Sequence, residues 1–171
     1  RYGNVMGSRG SVVPLFLDRA KSGVLPITHP EMTRFNITLA EGVDLVLYAI
    51  ENMQGGEIFV PKIPSYRVTD LAQAIGPNCR QEVIGIRPGE KIHEEMITTS
   101  DSQTTIDIGK YYAILPGGVA VGSVSGIGGM SPLGGTTGFS YNSRDNTEFL
   151  SVDQIRSLLR EHVDANFDPV Q

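Results

Sequence analysis

Apolar side chains recur with helical spacing near both ends of the chain. Residues 11–22 begin at a glycine and serine turn, carry Pro14 where the first helical turn falls, and end before Gly23. Proline suits the first turn because its missing N–H has no partner there, and glycine suits the left-handed position after a helix. Residues 151–162 carry an apolar stripe that begins with a serine and a glutamine spaced as a capping box. Both segments are therefore predicted helices.

The strongest helical pattern covers residues 38–53. Thr38 and Glu41 have the spacing of a capping box, and a glutamine and two glycines follow the segment. Its apolar residues share one helical face: Val43, Val46, Leu47, Ile50 and Met53. The pattern predicts an amphipathic helix.

Shorter apolar runs alternate with turn residues elsewhere in the chain. Four of them have the length and composition of strands: residues 1–5, 57–60, 82–86 and 111–115. Thr69 precedes a short helical pattern over residues 70–75, and a turn at Pro88 and Gly89 precedes another through about residue 97. Helices that alternate with strands predict an α/β fold.

Glycine dominates one segment of the sequence. Residues 117–138 contain nine glycines, and no charged residue occurs between Lys110 and Arg144. Ordering so many glycines costs much backbone entropy, so we expect a mobile loop over residues 117–143. A dinucleotide-binding loop is the alternative, but that motif places its glycines between a strand and a helix, and no such context surrounds these.

The composition is that of an acidic globular protein. The chain has 171 residues, 14 Lys and Arg against 19 Asp and Glu, and a formal charge of -5, which disfavours a phosphate-backbone interface. Its single cysteine, Cys79, excludes an internal disulfide, and no apolar run approaches the roughly 20 residues that cross a bilayer. We expect a soluble, cytoplasmic protein without nucleic-acid or membrane partners. Arg1 already stands in a strand-like run, which suggests a fragment of a longer protein.

A charged cluster follows the predicted strand over residues 82–86. Arg87 enters the Pro-Gly turn, and Glu90 stands in the first turn of the predicted helix. An arginine can grip a phosphate with its planar guanidinium, and a carboxylate can accept hydrogen bonds from two ribose hydroxyls. The alternative is a solvated, charged helix start. Glu90 and His93 also have the spacing of carboxylate and imidazole metal ligands, but such sites need a second pair, so we expect no metal.

Two further residues are candidates for contacts in a cleft. Asn4 follows an apolar strand and precedes a glycine-rich turn, so it either caps that turn or reaches into a cleft at the carboxyl end of the strand. Arg34 stands among apolar and aromatic neighbours, where it is either an anion contact or an ordinary surface arginine. The residues alone leave both alternatives open.

Four blocks of the sequence together resemble one family. They are RYGNVMGSRGSVVPLF (residues 1–16), THPEMTRFNITLAEGVDLV (28–46), GEIFVPKIPS (56–65) and IGIRPGEKIHEEMI (84–97). These blocks are similar to the UDP-N-acetylglucosamine 4,6-dehydratases of the inverting, pseudaminic acid type, within the extended short-chain dehydrogenase/reductase superfamily. RPGEK, MTRF and SVVP are the most specific parts. The resemblance covers nearly the whole chain, and the glycine-rich segment departs from it.

The resemblance implies that the chain is the C-terminal half of such an enzyme. Residues 1–10 and 36–62 would complete a Rossmann-like domain, residues 11–35 and 63–116 would form a small α/β substrate-binding lobe, and residues 144–171 would form a C-terminal helix and tail. The family's GxxGxxG fingerprint and Tyr-x-x-x-Lys pair precede the matching segment, and this sequence contains neither. The resemblance thus implies NADP bound mainly by a preceding half, no catalytic residue here, and no activity of this chain alone.

Individual roles are implied by the same resemblance. Tyr2 would lie near the nicotinamide of the cofactor, and Asn4 near the sugar diphosphate. Arg34 and Arg87 would contact phosphate oxygens, and Glu90 would contact the ribose. These roles agree with the chemistry of each side chain.

The implied reaction removes water across carbons 5 and 6 of UDP-N-acetylglucosamine, with inversion at carbon 5, for bacterial surface glycans or flagellin glycosylation. Val12, Val13 and Pro14 would frame the uracil, so that remote nucleotide contacts orient the sugar. The resemblance also implies a homo-oligomer. Two alternatives stay open: a related UDP-sugar epimerase or retaining dehydratase, and a non-catalytic nucleotide-sugar-binding paralogue.

Overall fold

The computed structural model describes residues 1–117, 133–134 and 138–170. Its strands are β1 (Asn4–Val5), β2 (Val24–Ile27), β3 (Thr33–Ile37), β4 (Ile58–Pro61), β5 (Ser65–Arg67), β6 (Arg80–Val83), β7 (Glu95–Ile97), β8 (Thr105–Asp107), β9 (Tyr111–Ile114) and β10 (Tyr141–Asn142). Its helices are α1 (Val12–Ala20), α2 (Leu39–Asn52), α3 (Val68–Ile75) and α4 (Val152–His162). These elements confirm the predicted α/β class.

The chain divides into two compact units. The first unit takes its described residues from 1–2, 40–62 and 95–142. The second unit takes them from 3–39, 63–94 and 143–171. Each unit has small sheets and a core of its own.

Two small sheets frame the second unit. One has the order β1-β3-β5, with β1 parallel and β5 antiparallel to β3. The other pairs β2 with β6 in parallel, and Ile27 lies opposite Val83 at its end. Because parallel strands end at the same edge of a sheet, the residues that follow β2 and β6 lie side by side.

Helices α1, α3 and α4 pack with β2 around the core of the second unit. Its fully buried side chains include Phe16, Leu25, Ile75, Ile155 and Leu159. Burying an aliphatic or aromatic side chain completely contributes roughly 1.5–3 kcal/mol. This core therefore stabilises the packing of the helices and β2, and the loops of the second unit extend from these packed elements.

Sequence signals at the helix ends are confirmed in two helices and wrong in a third. Ser151 and Gln154 form both hydrogen bonds of the predicted capping box of α4. Gly23, just beyond α1, has φ +74°, as its predicted left-handed position requires. Helix α3 begins at Val68, so Arg67 and not Thr69 is its N-cap residue, and the Arg67 side chain makes no capping hydrogen bond.

The first unit contains an antiparallel sheet and a strand pair. The sheet has the order β4-β9-β8, and β7 pairs with β10. Its core side chains are Leu45, Phe59, Ile106, Tyr111 and Leu115. Leu45 is the buried side chain that α2 adds to this core, and the partly buried Tyr48 and Ala49 of the same helix pack against it.

Helix α2 forms as predicted, but the apolar face that predicted it is exposed. The apolar residues of that face are each about half exposed or more: Val43, Val46, Leu47 and Ile50 in the helix, and Met53 just after it. Leu45, in contrast, is only 3% exposed. The periodicity therefore identifies the helix correctly without identifying the side that packs within the first unit.

The helix predicted after the Pro-Gly turn is wrong. The chain stays irregular over residues 87–94 and then enters β7. The peptide N–H of Thr33 donates to the carbonyl of Ile92 at 3.1 Å, so this segment uses a backbone carbonyl in a tertiary hydrogen bond beside β3. The strand predicted over 82–86 is also displaced, because β6 ends at Val83.

The predicted mobile loop over residues 117–143 lies largely outside the described residues. Those left out are 118–132 and 135–137, together with residue 171. At the end of the segment, the described strand β10 pairs with β7.

Candidate functional site

A cavity of about 250 Å³ opens in the second unit. Charged and amide side chains line it from three places: Asn4 in β1, Arg34 in β3, and Arg87 and Glu90 in the turn after β6. Two hydroxyl residues also line it, Ser11 before α1 and Thr28 after β2. Apolar side chains from α1, α3 and β2, and from the residues just before β3 and just after β6, also line it: Val12, Leu15, Phe16, Pro26, Met32, Val68 and Ile84. The cavity thus combines an apolar surface with two arginines and one glutamate.

Sheet pairing and a tight turn bring the first of these residues together. Strand β1 runs parallel to β3 with Asn4 opposite Asn36, so Asn4 lies near Arg34 on the neighbouring strand. After β1 the chain turns through Gly10, whose φ of +79° favours glycine. That turn leads directly into α1 and brings Val12 to the cavity.

The Arg87–Glu90 turn is closed by its own hydrogen bonds. The Glu90 N–H donates to the Arg87 carbonyl at 3.0 Å, and the Arg87 N–H donates to Glu90 Oε2 at 3.3 Å. Pro88 and Gly89, with φ +80° at the glycine, match the second and third positions of a type II turn. Within the described part of the chain, the Arg87 guanidinium has no hydrogen bond or ion pair, which leaves its donors for a ligand.

Arg34 is instead tied to the chain. Its Nη1 donates to the carbonyls of Thr33 (2.7 Å) and Ile92 (3.0 Å), and its Nη2 donates to that of Lys91 (2.9 Å). Glu90 Oε1 lies 3.9 Å from Nη2. With 12% of its side chain exposed, Arg34 braces β3 against the segment after the Arg87–Glu90 turn while still lining the cavity.

Sequence reasoning missed two groups beside Asn4, the buried Tyr66 and the partly buried Glu94. The Asn4 side chain hydrogen-bonds both the Tyr66 hydroxyl and the Glu94 carboxyl. Burial raises the pKa of Glu94 above its ordinary value, and the Phe35 N–H, Arg34 and Asn4 oppose that rise. Burial likewise raises the pKa of Tyr66. No spacing rule identifies Glu94, because its partners come from distant strands.

A chain of hydroxyls ends at His93. Its Nδ1 lies 2.8 Å from Thr33 Oγ1, which lies 2.7 Å from the buried Ser143 Oγ. Burial, and after it Arg144, lowers the pKa of His93 below its ordinary value. His93 and Glu90 do not share a helix, and within the described ranges no group of three or more His, Cys, Asp and Glu side chains is arranged to hold a metal ion.

The remaining sequence candidates lie elsewhere. Val13 is buried in the core of the second unit, and Pro14 is half-buried in α1; neither is among the described residues that line the cavity. Tyr2 belongs to the first unit, where it is 48% exposed. There it lines a groove of about 220 Å³ with Val46 and Phe59.

Comparison with protein families gives a match that includes every cavity residue named above. A family described as "Polysaccharide biosynthesis protein" matches residues 1–116. The chain belongs to this family.

Several curated relatives of this polysaccharide biosynthesis family member are longer enzymes. The chain is 47% identical over 165 residues to a protein of Campylobacter jejuni named UDP-N-acetylglucosamine 4,6-dehydratase (inverting), covering 93% of this chain and 49% of that relative. It is 39% identical over 180 residues to a Rickettsia felis protein named UDP-glucose 4-epimerase, covering 100% of this chain and 50% of that one. The chain thus spans about half the length of these relatives, and it matches the C-terminal part of the dehydratase.

A solved structure supports the fold assignment. Pen from Bacillus thuringiensis aligns with a TM-score of 0.78 and 30% sequence identity, over 94% of this chain and 48% of Pen. The likeness confirms the C-terminal part of a short-chain dehydrogenase/reductase fold. Among the described residues, no helix is both long and apolar enough to span a membrane.

Proposed function

We propose that this chain is the nucleotide-sugar-binding part of a 4,6-dehydratase that acts on UDP-N-acetylglucosamine with NADP and inverts carbon 5. The observation that carries the proposal is the cavity of the second unit, where the Arg87 guanidinium, without a polar partner among the described residues, stands beside Glu90 and an apolar wall. The 47% identity to the C. jejuni dehydratase supports this choice of reaction. By the same resemblance, we propose a role in bacterial surface glycan synthesis or flagellin glycosylation.

The lining of the cavity suits each part of UDP. Val12, with Leu15 and Ile84 nearby in the lining, offers apolar surface for uracil. The Glu90 carboxylate can accept the two ribose hydroxyls, and the Arg87 guanidinium can donate to phosphate oxygens in a paired, planar arrangement. A nucleotide held in this way fixes the sugar that is attached to it.

Asn4 and Arg34 would add polar contacts to the diphosphate. Three N–H groups of Arg34 are bonded to backbone carbonyls, and its Nε lies 3.8 Å from Glu94 Oε1. The second N–H of Nη2, beside Glu90, would therefore be its donor to the ligand. Val13 and Pro14 would frame the uracil by fixing the start of α1, since neither side chain is among the described cavity lining.

The proposed cofactor contact of this chain is limited to Tyr2. Tyr2, the implied nicotinamide contact, lies in a groove with Leu45, Val46, Met53 and Phe59, and no phosphate-binding glycine turn accompanies it there. We therefore assign NADP binding mainly to a segment equivalent to the N-terminal half of the relatives. The isolated chain should then neither bind NADP tightly nor dehydrate UDP-N-acetylglucosamine, and keto-sugar formation by the isolated chain would contradict this assignment.

A UDP-sugar epimerase is the second candidate, because the Rickettsia felis relative matches the entire chain. A dehydratase and an epimerase both need to bind the UDP part of the substrate, so the cavity is compatible with either activity. They differ in product: a keto sugar from UDP-N-acetylglucosamine for the dehydratase, and a sugar inverted at carbon 4 for the epimerase.

Calorimetric titration with UDP tests the nucleotide site. Arg87→Ala should weaken binding by on the order of 1.5–3 kcal/mol, and Arg87→Lys should fail to restore it because an ammonium lacks the planar pair of donors. Arg80→Ala is the matched control, since Arg80 is exposed on the neighbouring β6 and is not part of the described lining. Equal affinities for wild type and Arg87→Ala would remove Arg87 from the site.

Location and assembly complete the proposal. By resemblance to the family, we propose that the protein is cytoplasmic and forms a homo-oligomer. Cell fractionation and sedimentation velocity test these two points, and a membrane-bound or strictly monomeric protein would contradict them.

A further inference from the structure

The Glu90 carboxylate has a partner at each of its oxygens. Its Oε2 accepts the Arg87 peptide N–H at 3.3 Å, and its Oε1 lies 3.9 Å from Nη2 of Arg34. The same Nη2 donates to the carbonyl of Lys91, the next residue along the chain, at 2.9 Å. Arg34 therefore faces the side chain of Glu90 and also binds the backbone beside it.

The guanidinium of Arg34 is itself fixed in orientation. Its Nη1 donates to two backbone carbonyls, and its Nε lies 3.8 Å from Oε1 of Glu94. Because a guanidinium is planar, partners at all three of its nitrogens prevent it from turning. Only 12% of the Arg34 side chain is exposed, so solvent screens its charge weakly. The edge that faces Glu90 is thus set by the surrounding protein.

A carboxylate held in this way suits the two hydroxyls of a ribose. Each carboxylate oxygen has two lone pairs. The oxygen that accepts the Arg87 N–H keeps one of them for a ligand, and the oxygen beside Arg34 lies too far from Nη2 for a hydrogen bond and keeps both. Without the cation, the glutamate side chain would be free to rotate, and ligand binding would have to order it.

We propose that Arg34 is a positioning residue for Glu90, which holds the carboxylate in the orientation that receives the ribose hydroxyls. The inference rests on the proposed UDP site, and it adds to the contact that Arg34 itself would make with the diphosphate. Recognition of the ribose hydroxyls should therefore depend on Arg34, although Arg34 would act on them only through Glu90.

Two probes separate this role from a phosphate contact: UDP and its dideoxyribose analogue, which keeps the diphosphate and lacks both ribose hydroxyls. In calorimetric titration, the wild-type chain should bind UDP about tenfold more tightly than the analogue. Arg34→Gln removes the cation and should lower this preference to about twofold or less. Loss of a phosphate contact weakens the binding of both probes equally, so it leaves the preference unchanged.

A double-mutant cycle tests whether Arg34 acts through Glu90. Glu90→Ala should abolish the preference for UDP, and Arg34→Gln in the Glu90→Ala background should have no further effect on it. Arg80→Gln is the matched control, because Arg80 Nη2 lies 3.7 Å from Glu82 Oε1 in a similar but exposed pair outside the described cavity lining. This control should keep the preference of the wild type.

The possible results separate the positioning role from the proposed function. A wild-type chain that does not bind UDP, or that binds both probes equally, contradicts the proposed nucleotide site or its ribose contact, and the positioning role falls with it. A preference that stays at about tenfold in Arg34→Gln overturns the positioning role alone. Equal weakening of both probes is such a result, because it indicates a phosphate contact or general damage to the cavity.

A second measurement covers the case in which Arg34→Gln does not fold. In the free chain, the guanidinium resonances of Arg34 should differ between the wild type and Glu90→Ala, because the group that Nη2 faces has been removed. They should keep their wild-type positions in Glu82→Ala, which removes the carboxylate of the exposed pair. Arg34 resonances that are the same in Glu90→Ala and in the wild type would overturn the proposal.

Discussion

Arg34 and Arg87 line the same cavity, yet their removal should have different effects on the stability of the second unit. Arg34→Ala deletes three hydrogen bonds to backbone carbonyls and the cation beside the partly buried Glu94. Arg87→Ala deletes a guanidinium without a described polar partner. The pair thus compares two arginines in one site, of which only one is tied to the chain.

The magnitude follows from what each deletion leaves behind. The Thr33 and Ile92 carbonyls each keep a second donor, the Ser143 hydroxyl and the Thr33 N–H, so each loses only the net value of one hydrogen bond. Glu94 loses its neighbouring cation at a partly buried position, which adds to this cost. Together these losses should lower the free energy of unfolding by about 2–4 kcal/mol for Arg34→Ala, and by no more than about 0.5 kcal/mol for Arg87→Ala.

Urea unfolding followed by far-ultraviolet circular dichroism measures this difference. The midpoint should fall clearly for Arg34→Ala and stay at the wild-type value for Arg87→Ala. Arg34→Lys is the control for charge, and it should recover only part of the loss because one ammonium cannot reach three carbonyls. Equal stability of the two alanine variants would refute the reasoning that the Arg34 hydrogen bonds stabilise β3 against the segment after the Arg87–Glu90 turn.

Three further predictions concern stability. Leu45→Ala should lower the free energy of unfolding by about 2–4 kcal/mol, whereas Ile50→Ala on the same helix should change it by no more than about 0.5 kcal/mol, because Leu45 is 3% and Ile50 is 67% exposed. Equal losses in urea unfolding would contradict the burial of Leu45 and the exposure of Ile50 on α2. Ser151→Ala should cost about 1 kcal/mol by removing the capping box of α4, and an unchanged urea midpoint would count against that cap. Because the pKa of His93 lies below the ordinary 6.5, the unfolded chain takes up a proton more readily, so the free energy of unfolding should fall as the pH drops through that value; His93→Gln should reduce this slope, and an identical slope would contradict it.

Local signals along the sequence were enough to predict several elements. Ser151 and Gln154 specify the start of α4, and Gly23 lies beyond the end of α1, because capping depends on residues only a few positions apart. The turn at Arg87 was also predictable, since proline and glycine fit the second and third positions of a type II turn. These features need no knowledge of distant contacts.

Elements that depend on distant partners were missed or misassigned. Strand β3 lies between β1 and β5, and its sequence does not indicate that pairing. A helix was predicted to follow the turn at Pro88 and Gly89, but the Ile92 carbonyl accepts a hydrogen bond from the Thr33 N–H and the chain then enters β7. Glu94 could not be distinguished from Glu95 by pattern, because only the folded chain places one carboxyl against Asn4 and leaves the other exposed.

The central claim is that the cavity of the second unit binds the nucleotide of a UDP-sugar. Chemical-shift mapping of the isotope-labelled chain with UDP tests it most directly, because it locates the ligand without requiring turnover. The account predicts saturable shifts at Asn4, Val12, Arg34, Arg87 and Glu90. Saturable shifts confined to residues outside this cavity, or no shifts at UDP concentrations that saturate nucleotide-sugar enzymes, would contradict it.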